Sequence, residues 1–147
     1  MDATQEKPVL FYVDDDSDDR FFFEEAAHDI HENVQLFESG DELLESLRHP
    51  PPSPSIVFID LNMPRKNGFE ILEEIRSSDN FRSVPIVVYS TSGEANTISK
   101  CLNLGASFYM TKAVRIATLR DAINHLLHID WTTFKPDLKN FVYNCGK

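Results

Sequence analysis

Five short apolar runs alternate along this chain with five stretches of helical periodicity, and few folds accept that order. The runs are Val9–Val13, Val34–Phe37, Ile56–Ile59, Val84–Tyr89 and Phe108–Thr111. Ile56–Ile59 is apolar without a break, which reads as a strand buried on both faces, as in a parallel sheet. Between the runs, Phe23, Ala26, Ala27 and Ile30 fall at helical spacing, as do Leu43, Leu44 and Leu47. The same spacing links Ile71, Leu72 and Ile75, then Ile98, Cys101 and Leu102. A fifth set is Ile116, Leu119, Ile123, Leu126 and Leu127. Ser17 offers the first helix an N-cap and Ser39 opens the second. The stretch His49-Pro-Pro-Pro-Ser-Pro54 must end the second helix, and Gly105 is placed to end the fourth. Strands alternating with helices predict an α/β fold, (βα)5, with a five-stranded parallel sheet and helices on both faces. Right-handed crossovers leave few topologies, of which the flavodoxin-like order 2-1-3-4-5 is the usual one.

In that order the ligand crevice opens outside the carboxyl ends of the strands, between the first and the third. The first strand runs into Asp14-Asp15-Asp16, the third into Asp60, the fourth into Ser90-Thr91-Ser92 and the fifth into Lys112. Each residue alone is commonplace, since an Asp after a strand usually caps a helix or forms a turn. Two acids, a hydroxyl and an ammonium converging on one crevice are not. Asp14, Asp15 and Asp60 would repel one another there, and without a cation at least one pKa would rise. Mg²⁺ removes the conflict: it takes about six oxygens at roughly 2.1 Å, keeps several waters, and needs few carboxylates. Asp60 then reads as a nucleophile toward a phosphoryl group, whose transfer is mostly positioning and charge neutralisation. Mg²⁺, the Lys112 ammonium and the Ser90 hydroxyl would supply that, and an acyl phosphate would be the covalent product. Pro64 and Gly68 make Asn62–Gly68 a turn-rich loop after the nucleophile.

Bulk properties narrow the class further. A chain of 147 residues suits one core. A net charge of −10 without a Lys/Arg run argues against nucleic acid as a partner. No apolar stretch reaches the ~18 residues of a membrane span. Residues 1–7 lack the basic and apolar parts of a signal peptide, so a cytoplasmic location is expected. Cys101 and Cys145 have neither ligand nor framework spacing and read as free thiols. His28 with His31, and His125 with His128, sit at i, i+3 without further ligands, which favours surface or helix-end roles over zinc.

The combination Val13-Asp14-Asp15, Asp60-Leu-Asn-Met-Pro64 with Gly68, Ser90, and Gly105-Ala-Ser-Phe-Tyr-Met-Thr-Lys112 resembles the receiver domains of bacterial two-component response regulators. The resemblance covers about residues 8–129, leaving 1–7 as an N-terminal tail and 130–147 as a C-terminal extension. It implies that Asp60 is the phosphoacceptor, charged by a phosphohistidine on a sensor histidine kinase or a histidine phosphotransfer protein. It implies Mg²⁺ held by Asp14, Asp15, Asp60 and the backbone carbonyl of Asn62. Ser90 matches the switch hydroxyl, Tyr109 the switch aromatic and Lys112 the phosphate-pairing lysine. Thr91 and Ser92 would line the site mouth and, with Asn62, tune hydrolysis of the acyl phosphate. The face formed by helix 4, strand 5 and helix 5 would bind a downstream protein, or a second copy in a phosphorylation-dependent homodimer. Activity would be limited to Mg²⁺-dependent self-phosphorylation and dephosphorylation.

One departure stands out. The family usually has proline after the lysine, in a cis peptide, whereas here Ala113 follows Lys112. A cis bond before a non-proline residue costs about 3–4 kcal/mol, so a trans bond and a shifted loop are expected. The extension is too short and not basic enough for a helix-turn-helix output unit. Its Trp131, Phe134, Leu138 and Phe141 predict a tail docked on the body or on a partner. Such a chain would be a single-domain regulator that signals by protein contact or phosphorelay. Two other readings remain. A haloacid-dehalogenase-like phosphatase would use Asp14 as nucleophile and Asp16 as acid/base, leaving Asp60, Asn62 and Pro64 unexplained. A binding module with the receiver fold would never be phosphorylated.

Overall fold

β1 (Val9–Val13) pairs in parallel with both β2 (Asn33–Phe37) and β3 (Ser55–Ile59). The sheet continues through β4 (Ile86–Ser90) and β5 (Phe108–Thr111) to β6 (Val142–Asn144), all parallel, in the order β2-β1-β3-β4-β5-β6. The helices are α1 (Ser17–Asp29), α2 (Gly40–Arg48), α3 (Gly68–Ser77), α4 (Ala95–Asn103) and α5 (Ile116–Leu127). This computed structural model describes residues 8–30, 32–51 and 55–145. The N-terminal segment, His31 and Pro52, Ser53 and Pro54 lie outside the described residues. The expected five-strand order is present, and a sixth strand extends it.

The alternation of side chains along each strand divides the core into two layers. Phe11, Val13, Val57, Ile59, Val88 and Tyr109 pack with the apolar stripes of α2 and α3 on one face. Leu10, Tyr12, Ile56, Phe58, Val87, Tyr89 and Met110 pack with α1 and α5 on the other. Both layers are apolar, which is why β3 and β4 are buried along their whole length. α4 buries less than its spacing suggests: Cys101 is enclosed, whereas Ile98 and Leu102 are half-buried at the edge. It ends as its glycine predicts. Gly105 takes φ +100°, its N–H donates to Leu102 O at 3.1 Å, and the Ala106 N–H donates to Cys101 O at 3.0 Å.

Two boundaries differ from the sequence reading. Asp16, not Ser17, caps α1, its carboxylate accepting the Asp18 N–H at 2.8 Å and the Asp19 N–H at 3.3 Å. β4 starts at Ile86 rather than Val84, and Pro85, which has no N–H to donate, contributes only its carbonyl, to the Val57 N–H at 2.9 Å. The extension docks on the body. Trp131 and Phe134 stack edge-on against Phe108 on the α5 side, Phe141 is wholly buried, and β6 lies along β5. Leu138 is the exception, at 65% exposed. Both cysteines are free and buried. Among the described residues, no helix is long and apolar enough to cross a membrane.

Candidate functional site

Register sets the site. Val13 lies opposite Ile59, so Asp14 and Asp60 leave the sheet side by side. The Asp60 N–H donates to Val13 O, and the Asp14 N–H donates to Phe37 O, both at 3.1 Å. Ser90 lies opposite Thr111, and the Lys112 N–H donates to Ser90 O at 2.8 Å. Strands β1, β3, β4 and β5 therefore deliver their terminal residues to one edge. Gly68 explains how the following loop fits there. A Cβ at that position would stand 2.6 Å from Asp60 O and 2.8 Å from Leu61 Cα, both main-chain atoms. Only glycine lets α3 begin this close to the Asp60 peptide.

Carboxylate oxygens of Asp14, Asp15 and Asp60 lie within 4.8 Å of one another. Asp14 and Asp60 are buried and Asp15 is exposed, so the cluster faces solvent on one side only. The Lys112 ammonium donates to Asp14 Oδ2 at 2.8 Å and to Asp19 Oδ2 at 2.7 Å, and stands 3.3 Å from Asp60 Oδ1. Asp14 Oδ2 also accepts the Tyr12 phenol at 2.5 Å, and Asp14 Oδ1 the Asp16 N–H at 3.0 Å. Burial pushes the Asp60 carboxyl up to about 6; Lys112 pulls it down, and the charges of Asp14 and Asp15 add to the rise. Burial alone would lower the Lys112 pKa, but its hydrogen bonds to Asp14 and Asp19 hold it above the ordinary lysine value. A buried carboxylate with two more beside it is the conflict a divalent cation relieves, and an all-oxygen donor set suits a hard ion. The residues fit Mg²⁺.

The remaining predicted residues surround this centre. Ser90 is fully buried at the end of β4, its Oγ accepting the Ser92 N–H at 3.3 Å. Thr91 is exposed, Ser92 is half-buried, and Asn62 is exposed on the loop after Asp60. Tyr109 is turned fully inward, and its phenol donates to Ser92 O at 2.7 Å. Asp16 caps α1 through Oδ1, which accounts for it without an acid/base role. His125 packs its ring against Phe108 and Tyr143. Three contributors escaped the sequence reading: Asp19 on Lys112, Tyr12 on Asp14, and Tyr89, whose hydroxyl accepts the Ala113 N–H at 3.2 Å. For Tyr12 and Tyr89 a signal existed, since a phenol in a buried strand needs a polar partner.

A model of the response regulator receiver domain matches residues 10–124. The chain belongs to the response regulator receiver family. It is 32% identical over 108 residues to the two-component response regulator ORR11 of rice, covering 74% of this chain and 73% of that protein. It is 28% identical over 138 residues to ARR17 of Arabidopsis thaliana, covering 87% and 90%. Among solved structures, the phosphorylated cyanobacterial phytochrome response regulator RcpA superposes with a TM-score of 0.71 at 26% identity, covering 89% of this chain and 98% of that one. The chemotaxis response regulator CheY4 of Vibrio cholerae shares the fold, with a TM-score of 0.73 at 20% identity over 82% and 99% of the two chains. Plant and bacterial proteins both stand among these relatives, so membership of the receiver family does not carry the bacterial origin expected from the sequence. With the receiver domain established, the phosphatase reading through Asp14 is set aside.

Proposed function

We propose that this receiver domain accepts a phosphoryl group on Asp60 from a phosphohistidine donor and passes the signal on by protein contact or phosphorelay. The observation that carries the reading is one buried carboxylate, Asp60, set between two further acids and the Lys112 ammonium at 3.3 Å. An Asp60 oxygen attacks phosphorus; the O–P bond forms, the N–P bond to the donor imidazole breaks, and that nitrogen leaves with the electron pair. Lys112 pairs with a phosphoryl oxygen and the Ser90 hydroxyl donates to another, so the added charge is met by groups already in place. Mg²⁺, held by Asp14, Asp15, Asp60 and the Asn62 carbonyl, would neutralise charge on the transferring group. The product is an acyl phosphate carrying about two negative charges. Among the similar structures, RcpA is phosphorylated, which supports the same chemistry here.

Receiver domains of this family interact with histidine kinases or phosphotransfer proteins, and we assign the donor to one of these, in the cytoplasm. The domain reacts only on itself, and Thr91, Ser92 and Asn62 at the mouth set how fast water removes the phosphoryl group. The expected output face of α4, β5 and α5 needs one adjustment: β6 pairs the outer edge of β5. A downstream protein or a second copy would meet α4, α5 and the extension rather than a free β5 edge.

The test is incubation with a small acyl phosphate and Mg²⁺, read by intact mass. Wild type should gain one phosphoryl group, Asp14→Asn should gain it more slowly, and Asp60→Asn not at all. A protein that takes no label with Mg²⁺ present is a binding module, and the proposal fails.

A further inference from the structure

We infer that Asp19 is a positioning residue that shares the Lys112 ammonium with Asp14 and Asp60 in the resting protein and gives it up when a phosphoryl group arrives at Asp60. The inference rests on Asp60 being the acceptor. An ammonium has three N–H donors, and Lys112 is only 13% exposed, so its charge depends on protein oxygens rather than water. Its two shortest contacts are Asp19 at 2.7 Å and Asp14 at 2.8 Å; Asp60 is the most distant of the three.

These carboxylates are not equivalent. Asp14 and Asp60 belong to the cation cluster, and Asp14 also accepts from Tyr12 and from the Asp16 N–H. A cation bound there competes with Lys112 for both. Asp19 lies outside the cluster, in the first turn of α1, with its N–H tied to the capping carboxylate of Asp16. Among the described residues, the polar contact of its side chain is with Lys112. Its side chain is 39% exposed and borders a cleft of about 330 Å³ shared with Phe22, Tyr89, Thr91 and Lys112.

That difference in exposure gives the exchange its direction. When Lys112 turns to the phosphoryl group, water can replace it at Asp19, while a buried phosphoryl oxygen has no such substitute. Before transfer, Asp19 competes for the ammonium that must neutralise the incoming charge. The resting pair therefore slows phosphoryl uptake, and it breaks when the charge at Asp60 grows.

The test uses the full chain with Mg²⁺, measuring uptake from a small acyl phosphate by mass and beryllofluoride affinity by NMR titration. Asp19→Asn keeps the shape and removes the charge. It should take up phosphoryl groups several-fold faster than wild type and bind beryllofluoride more tightly. A general loss of negative charge near an anionic donor would also accelerate uptake, so both measurements are repeated with Lys112→Ala. If Asp19 acts through Lys112, the Asp19→Asn gain disappears in that background. A gain of the same size in both backgrounds, or no gain in either, overturns the inference. Asp19→Ser should match Asp19→Asn, which guards against a folding effect of one substitution. Failure of the wild type to label at Asp60 would instead remove the underlying reading, and the two failures are distinguishable.

Discussion

The main-chain N–H of Tyr109 donates to the carbonyl of Phe141 at 2.8 Å, and the rings of these two residues lie 6.3 Å apart. The buried aromatic of β5 is thereby tied to the extension by both backbone and side chain. β6 continues the contact, with Tyr109 opposite Val142 and Thr111 opposite Asn144. Phe141 is completely buried in the layer that holds Tyr109 and Cys101. Phe141→Ala should cost about 3–5 kcal/mol, the usual range for emptying a core aromatic site. Urea denaturation checks the stability. Faster amide exchange at Tyr109 would show that the β5 edge opens with it.

Asp60 gives a pH signature of its own. Burial pushes its carboxyl up to about 6 in the folded protein, against an ordinary 3.8. Well below pH 4 it is protonated folded and unfolded, and contributes nothing. As pH rises, the unfolded chain gives up its proton first, so stability falls until pH passes 6 and then stays lowered. The gap corresponds to a cost on the order of 3 kcal/mol at neutral pH. Asp60→Asn, which has no charge to bury, should be more stable than wild type at pH 7 by about that order or somewhat less. The difference should shrink to about 0.5 kcal/mol near pH 4, and saturating Mg²⁺ should close it at pH 7 by stabilising wild type. Thermal melts of the two proteins across pH 4–8 test all three statements.

Arg76 spans the far end of the sheet from the site. Its guanidinium donates to Gly105 O, Arg82 O and Val84 O, each at 2.7 Å, and to Ser107 Oγ at 3.1 Å. Burial lowers its pKa to about 10, which leaves it charged at neutral pH. Arg76→Ala would strand these carbonyls and should cost about 2–3 kcal/mol. Arg76→Lys should recover little, since a point ammonium cannot fork toward several acceptors. Denaturant midpoints of the two variants decide this.

Much of this arrangement was legible in the residues. The unbroken run Ile56–Ile59 ending in Asp60 specified a buried parallel strand with a carboxylate at its exit, and Val13 ending in Asp14 did the same beside it. What was missed depends on tertiary placement. β6 has three residues and no apolar alternation that would mark it alone; it exists because β5 presents an unpaired edge. The Asp19 pair with Lys112 joins residues 93 positions apart, and no local pattern brings them together. The α1 cap was misplaced by one residue because Asp16 and Ser17 are equally good caps, and only the backbone shows which side chain reaches the N–H groups of Asp18 and Asp19.

Gly68 offers the sharpest steric test. A methyl group there would meet the Asp60 carbonyl at 2.6 Å and Leu61 Cα at 2.8 Å, and neither atom can turn aside as a flexible side-chain tip would. The loop would have to move, and Asp60 with it. Gly68→Ala should therefore cost about 1–3 kcal/mol, as other over-packed sites do. It should also weaken Mg²⁺ binding, because one of three converging carboxylates is displaced. Gly93 provides the control: nothing lies within 4 Å of a Cβ built there. Gly93→Ala should be neutral or stabilise by a few tenths of a kcal/mol through the unfolded chain, with Mg²⁺ affinity unchanged. Denaturation and Mg²⁺ titration on both variants separate a steric effect at Asp60 from a general intolerance of added bulk.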